Sequence, residues 1–214
     1  MAQKRVLGVL AGTDISAETV AVWAKSADFV IAADGAANRL LASGVTPDVV
    51  IGDMDSLEPE IRRSSLDIRE DQDQETTDCD KLILFVNRTY PEADFSLIGM
   101  EGDRFDHVLG STHSAARLNP GVRVVLRDGF GFFVTQNRPF QVRCNLGQII
   151  SLIPLLPCEG VLMSGVQWTP KPNLSPLGAT SISNAASDTT VTAELQSGLA
   201  MFIQQADTTQ PSWA

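Results

Sequence analysis

The sequence predicts an α/β domain on a mostly parallel sheet, followed by a β-rich domain of sandwich or barrel type. Two observations carry this. In the first 120 residues, short apolar runs alternate with segments of helical period, and from Val122 onward the helical period is replaced by short β-rich runs between Gly, Pro and Asn. The division is expected between residues 1–130 and 131–214.

The first apolar run is RVLGVLA (5–11), broken at Gly12, after which Ser16 offers an N-cap for a helix through Trp23 and Lys25. DFVIAADG repeats the scheme: a strand ends at Asp34-Gly35, AANRLLAS is a short helix, and Gly44 is placed to stop it. Pro47 then precedes the strand DVVIG. TTDCDKLILFVNRTY has a Thr/Asp helix start, with Leu82, Phe85 and Val86 at helical spacing, and leads to the strand DFSLIGM. A last helix is expected from about Asp103 to Leu118, with Phe105, Val108, Leu109 and Thr112 on one face. Strands alternating with helices imply a sheet covered on both faces. The later runs are VRVVLRDG, FGFFVTQ, FQVRCN, GQIISLIPLL, TTVTAELQSG and LAMFIQQ, with a Pro-rich loop at 169–178 long enough to be functional.

Composition narrows the function. The chain has 214 residues, 43% of them apolar, and a formal charge of −10. That charge argues against nonspecific adhesion to nucleic acid or an anionic membrane, and suits a cationic or metal-bridged ligand. Cys79, Cys144 and Cys158 are odd in number with no C-x-x-C pair, so neither a disulfide framework nor a zinc knuckle is expected. No apolar run reaches the roughly 18 residues of a membrane span, and the N-terminal apolar stretch is short for a signal peptide, so a cytoplasmic protein is expected.

Ligands of open α/β sheets bind beyond the carboxyl ends of the strands, and here those loops hold acids. Asp34 follows the second strand, Asp53 and Asp55 the third, Asp78 and Asp80 open a helix, and Asp103 and Asp106 follow LIGM. Aspartate is also a common turn and cap residue, but several such loops share one edge. Read as an extended segment, Asp53 and Asp55 point the same way, and two close carboxylates stay ionised cheaply only with a cation between them. Oxygen ligands select Mg²⁺ or Ca²⁺ over zinc, and Mg²⁺ commonly completes its shell with phosphates. Arg104, at a helix entrance between two acids, is suited to grip a phosphate. Lys81 and Arg39 are weaker candidates, each also readable as decoration of a solvated helix face. The P-loop and G-x-G-x-x-G signatures are absent, which disfavours a Walker-type NTPase or a nicotinamide enzyme. His107 and His113 lie six apart, off a common helix face, and read as structural.

ADGAANRLL, PDVVIGDMDSL, QETTDCDK and GMEGDRFDH, in this order, closely resemble the four motif blocks of the thiamine pyrophosphokinase (thiamine diphosphokinase) family. ISLIPL, EGVLMSGVQW, SISN and ELQSGLAMFI resemble that family's thiamine-binding β domain. The resemblance implies a Rossmann-like catalytic domain, and a homodimer with active sites between the α/β domain of one subunit and the β domain of the other. It also implies transfer of the pyrophosphoryl group of ATP to thiamine's hydroxyl, with Mg²⁺, giving thiamine diphosphate and AMP. Carried over by motif, Asp53, Asp55 and Asp78 are the metal and phosphate-site acids. Asp34, Gly35 and Asn38 line the nucleotide side with Gln74, Thr77 and Lys81. Arg104 contacts phosphate, Asp106 lies near the thiamine hydroxyl, Ser183 and Asn184 face the pyrimidine, and Trp168 stacks on it. One departure is Ala36, where the family's first block commonly has a second glycine. Two competing readings are a related pyrophosphokinase acting on another heterocyclic alcohol, such as a hydroxymethylpterin, and a noncatalytic thiamine or nucleotide sensor. The SISN block and the Pro-rich loop favour thiamine, and retention of the acids and Arg104 favours catalysis.

Overall fold

The structure, a computed structural model, describes residues 3–102, 104–136 and 138–213. The chain divides into two compact units, 1–127 together with 207–214, and 128–206. The second unit is therefore an insertion with both of its chain connections in the first.

In the first unit the elements alternate as the periodicity requires: β1 (Arg5–Val9), α1 (Ala17–Ser26), β2 (Phe29–Ala33), α2 (Asp34–Ala42), β3 (Val49–Gly52), α3 (Pro59–Arg62), β4 (Ile68–Glu70), α4 (Asp78–Thr89), β5 (Asp94–Ile98), α5 (Phe105–Leu118) and β6 (Arg123–Leu126). The strands run in the order β6-β5-β1-β2-β3-β4, every pair parallel. Progression outward from β1 to β4 and then back to β5 on β1's other side makes a topological switch between β1 and β5, where the loops that leave neighbouring strands diverge and open a crevice. Val6, Leu7, Ile31, Val50, Leu97 and Val124 are buried in the central strands, as a sheet covered on both faces demands.

Local chemistry sets the helix starts. Ser16 caps α1 by accepting from the Thr19 N–H at 3.2 Å, and Thr77 caps α4 in a reciprocal capping box with Asp80. Gly44, at φ 71°, ends α2 in the left-handed conformation. Helix α2 begins two residues earlier than the sequence suggested, so Asp34 and Gly35 form its first turn rather than a strand end. Ala36 is then the third residue of an ordinary helix and needs no positive φ, and its methyl group is buried.

Three features were not legible in the local pattern. Residues 59–70 contain a short helix and an edge strand that polar, charged sequence concealed. The change of character at Val122 comes one strand early, because 123–126 is β6 of the parallel sheet. On α5, Phe105 is 72% and Leu109 45% exposed, whereas Ser114, Ala115 and Ala116 are buried. Small residues win that interface because they let α5 approach α4 closely. The start expected at Asp103 lies outside the described residues.

The second unit holds β7 (Gly129–Thr135), β8 (Phe140–Arg143), β9 (Ile149–Pro154), β10 (Leu162–Ser164), β11 (Ser181–Ala185), β12 (Thr190–Glu194) and β13 (Leu199–Gln205). Two antiparallel sheets, β11-β9-β13-β7 and β10-β12-β8, share one core containing Ile150, Leu152, Val191, Ala193 and Phe202. The rings of Phe132, Phe140 and Phe202 connect the sheets, with centroids 5.4 and 4.9 Å apart. This is a sandwich. Cys79, Cys144 and Cys158 are free and buried, and no helix among the described residues is long and apolar enough to cross a membrane.

The last segment does not stay with the β strands that precede it. The indole N–H of the fully buried Trp23 donates to the Thr208 carbonyl at 2.8 Å, and the Thr208 hydroxyl donates to the Leu126 carbonyl at 3.1 Å. Trp213 packs edge-on against Trp23 at 5.4 Å and donates to Ser26 Oγ at 2.9 Å. Trp213→Ala removes this ring contact and hydrogen bond, and should lower unfolding stability by about 1–2 kcal/mol. Urea denaturation should show an earlier midpoint with unchanged slope; an unmoved midpoint would mean that the returning segment adds no stability.

Candidate active site

A cavity of about 500 Å³ opens at the carboxyl ends of the parallel strands. Its wall comes from the loops after β1 (Leu10–Gly12), β2 (Ala33–Gly35), β3 (Asp53, Ser56) and β5 (Gly99, Met100, Gly102), and from the starts of α4 and α5. The backbones here are closer than side chains allow. A Cβ on Gly12 would lie 1.9 Å from the Glu101 carbonyl, and one on Gly52 would lie 3.1 Å from both the Asp34 carboxyl carbon and Asp78 Oδ1.

Asp53 and Asp55 converge by a route different from the expected extended strand. The strand ends at Gly52, and Met54 takes a left-handed conformation at φ 66° with its side chain buried. This bends the segment, and the Asp55 N–H donates to Asp53 Oδ1 at 3.2 Å in an Asx turn. Burial of Met54 anchors the bend, so a strained conformation is held by packing. Asp34 faces the same space from the first turn of α2, its Oδ1 accepting from the Gly35 N–H at 2.6 Å and its Oδ2 from the Ser56 N–H at 3.3 Å.

Oxygens of Asp34, Asp53 and Asp55 all lie within 4.8 Å of one another. The metal set implied by the resemblance was Asp53, Asp55 and Asp78; in the fold Asp34 joins the first two, and Asp78 adjoins them. Burial, reinforced by repulsion from Asp34, Asp53 and Asp55 and opposed by Lys81, pushes Asp78 up to about 6. Asp53 is held below the usual range by the Asp55 N–H, with burial opposing and Gln74, at 3.5 Å, assisting. An all-oxygen set under mutual repulsion fits a hard divalent cation such as Mg²⁺.

The cationic residues are placed unequally. Lys81, expected as a weak candidate, is buried: its Nζ donates to the Asp71 carbonyl at 2.7 Å and lies 3.8 Å from Asp78 Oδ1. Arg104 stays largely exposed at the cavity mouth, paired with Asp106 at 2.6 Å, and that hydrogen bond holds the Asp106 carboxyl below its ordinary value. Arg39 is occupied elsewhere, donating to the carbonyls of Gly12 and Ile15. Asn38 likewise serves the backbone, its amide donating to the Ser56 carbonyl at 2.8 Å and accepting from the Glu58 N–H at 3.2 Å. It fastens the loop after Asp55 to α2. Thr77 is committed to the α4 cap, although it also borders the cavity. His107, read as structural, is exposed and lines the cavity, a placement that helical spacing alone did not signal.

In the second unit, Trp168 is 56% exposed, and Ile182 and Ser183 project at a register shift in the β11–β9 pairing, where Ser183 has φ 55°. Asn184, expected to face a ligand, is buried, and its amide pairs with the backbone of Trp168, donating to the carbonyl at 2.6 Å and accepting from the N–H at 3.1 Å. Its amide secures the Trp168 backbone.

A parallel α/β unit with acids and cations gathered at its switch point, carrying an inserted β-sandwich, has the chemistry of a protein that binds a metal-bridged phosphate ligand. The chain belongs to the thiamine pyrophosphokinase family: residues 20–126 match the model of the thiamin pyrophosphokinase catalytic domain. Thiamine pyrophosphokinase 1 of Arabidopsis thaliana is 30% identical over 217 residues, covering 85% of this chain and 79% of that protein. Thiamine pyrophosphokinase 1 of Oryza sativa subsp. japonica is 29% identical over 192 residues, covering 75% and 73%. Among solved structures, a thiamin pyrophosphokinase family protein from Enterococcus faecalis superposes with a TM-score of 0.78 at 19% identity over 95% of this chain and 99% of that one. Thiamine pyrophosphokinase from Bacillus subtilis gives 0.76 at 21% identity over 95% and 100%.

The raised Asp78 carboxyl has a thermodynamic consequence. Its folded value of about 6 exceeds the unfolded 3.8, so the folded state binds the proton more tightly, and this group's contribution to stability falls as pH rises between those values. Asp78→Asn should therefore be more stable than the wild type at pH 8 without added metal, with the gap closing toward about pH 4. Thermal melts of both proteins across this range check the sign, and a pH-independent difference would contradict it.

Proposed function

We propose that this protein is a thiamine diphosphokinase, transferring the pyrophosphoryl group of ATP to the hydroxyl of thiamine to form thiamine diphosphate and AMP. The observation that carries this reading is the meeting of Asp34, Asp53 and Asp78 with Lys81 and Arg104 around one cavity, with Asp55 beside Asp34 and Asp53, in a chain of this family. Asp34, Asp53 and Asp55, with Asp78 beside them, would hold Mg²⁺, which when bound neutralises phosphate charge and the repulsion among the acids.

The hydroxyl oxygen of thiamine forms a bond to the β-phosphorus while the bond from that phosphorus to the α,β-bridging oxygen breaks, and AMP departs with the bridging oxygen. Charge grows on the departing oxygen and on the non-bridging oxygens, so the protein acts mainly by positioning and electrostatics. Arg104 is exposed at the mouth with a fork suited to phosphate, and it would exchange Asp106 for substrate oxygens. Lys81, fixed by the Asp71 carbonyl, supplies positive charge at the cavity floor. Asp106 stays ionised while Arg104 is its partner, and it accepts the hydroxyl proton only late in transfer. In the β-sandwich, Ser183 and Trp168 are exposed to receive the thiamine pyrimidine, with Asn184 holding Trp168 in place.

We read the working form as a homodimer. The exposed Phe105 and Leu109 on α5 supply apolar surface for association, and the proposed thiamine residues belong to a different unit from the acids. Light scattering on the purified protein should give twice the chain mass, and a monomer would remove the subunit-sharing arrangement. Three buried free thiols fit a reducing compartment, and the protein is assigned to the cytoplasm.

Incubation with ATP, Mg²⁺ and thiamine, with both products identified by mass, tests the reaction. AMP with thiamine diphosphate supports it, whereas ADP with thiamine monophosphate would replace it with simple phosphoryl transfer. Asp55→Asn should remove turnover by a factor of about 100 or more while the fold persists, because loss of one crowded carboxylate relieves repulsion in the metal-free protein. Wild-type turnover in that variant, or unfolding by circular dichroism, would sink the site assignment.

A further inference from the structure

Asp80 lies in the first turn of α4 but faces away from the work of Asp78 and Lys81. Its carboxylate is buried, with 7% of the side chain exposed, yet three donors reach it. The N–H and hydroxyl of Thr77 donate at 3.0 and 2.9 Å, and the Arg117 guanidinium at 2.5 Å. The Thr77 contacts belong to the α4 cap, and a cap needs nothing more. Arg117 comes from α5, so the same carboxylate also joins two helices.

Each of those helices carries one pair of candidate-site residues. The first turn of α4 brings Asp78 and Lys81 to the cavity, and the opposite end of α5 brings Arg104 and Asp106. The α4 turn also faces like charge, since Asp78 Oδ1 and the Asp34 carboxyl carbon each lie 3.1 Å from the point a Gly52 Cβ would occupy. Like charges that close push the α4 turn outward unless something holds it.

We propose that Asp80, tied to Arg117, is a positioning residue that sets the distance between the Asp78/Lys81 pair and the Arg104/Asp106 pair. It touches no substrate. Its effect rests on the pyrophosphoryl-transfer reading above, because it acts through groups assigned there to the metal and the phosphates. Misplacing such groups by a fraction of an ångström weakens electrostatic stabilisation without removing any member.

The test compares wild type with Asp80→Asn, Arg117→Met and Arg117→Lys. Each is checked for folding by circular dichroism, for Mg²⁺-dependent ATP binding by calorimetry, and for steady-state turnover with each substrate varied. Arg117 is 63% exposed in its side chain, so its variants keep the Thr77 cap and should fold even if Asp80→Asn does not. Arg117→Met should lower kcat/KM for Mg-ATP about 10-fold and weaken Mg-ATP binding, with KM for thiamine within about 2-fold, and Arg117→Lys should recover most of the loss. Asp80→Asn, when folded, should show the same pattern more strongly. Variants with wild-type Mg-ATP binding and kinetics overturn the proposal, as does a loss in kcat that only tracks the folded fraction with unaltered binding. A wild type that neither binds Mg-ATP nor turns over overturns the functional reading and this proposal together, whereas altered variants of an active wild type leave both standing.

Discussion

Repulsion among carboxylates gathered at one point of the sheet is the constraint on which the rest of the first unit depends. Asp34, Asp53 and Asp55 meet within 4.8 Å, with Asp78 beside them, in a crevice where burial weakens the screening that water would supply. Such a cluster does not assemble unaided, and much of the local structure can be read as the means of holding it. Gly52 gives up its side chain so that two acids can approach, Met54 accepts a left-handed backbone to turn Asp55 back over Asp53, and Asn38 ties down the loop that follows. The cost is carried by the packed core beneath, where Met54 itself is buried.

The same arrangement separates the acids by environment. Asp53 and Asp106 have donors that favour their charged forms, whereas Asp78 is buried among like charges and is pushed toward its neutral form. Neighbouring carboxyls of one residue type are thereby given different protonation behaviour near neutral pH. Asp80 shows the opposite balance: burial pushes its carboxyl up, but Thr77, Ser114 and Arg117 more than compensate and hold it below the ordinary value. It can therefore remain a fixed anion next to a group whose charge responds to a bound cation.

Chain connectivity links the two units in a way that reading along the sequence did not suggest. The sandwich leaves from Arg127 and returns at Asp207, and the segment after the return is fastened to α1 and β6 through Thr208 and Trp213. Both connections of the sandwich thus start from the ordered parallel unit. The sequence offers only weak warning of this, in two tryptophans whose partners are almost two hundred residues apart.

What the sequence by itself determined is what depends on short spacing. Alternation of apolar runs and helical periods specified the parallel sheet, Ser16, Thr77 and Gly44 marked helix ends, and acids just past strand ends marked the crevice, because strand, helix and cap chemistry act over a few residues. Its four motif blocks also carried the family likeness. Tertiary structure alone decided which carboxylates meet, since Asp34 is brought to Asp53 by a crossover and not by proximity in the chain. It buried Lys81, turned Asn38 and Asn184 onto backbone partners, and left exposed Phe105 and Leu109, which helical period had placed on one face. The reason is common to all of these. A side chain's partner is set by what the fold places opposite it, and local pattern records only which way the side chain leaves the backbone.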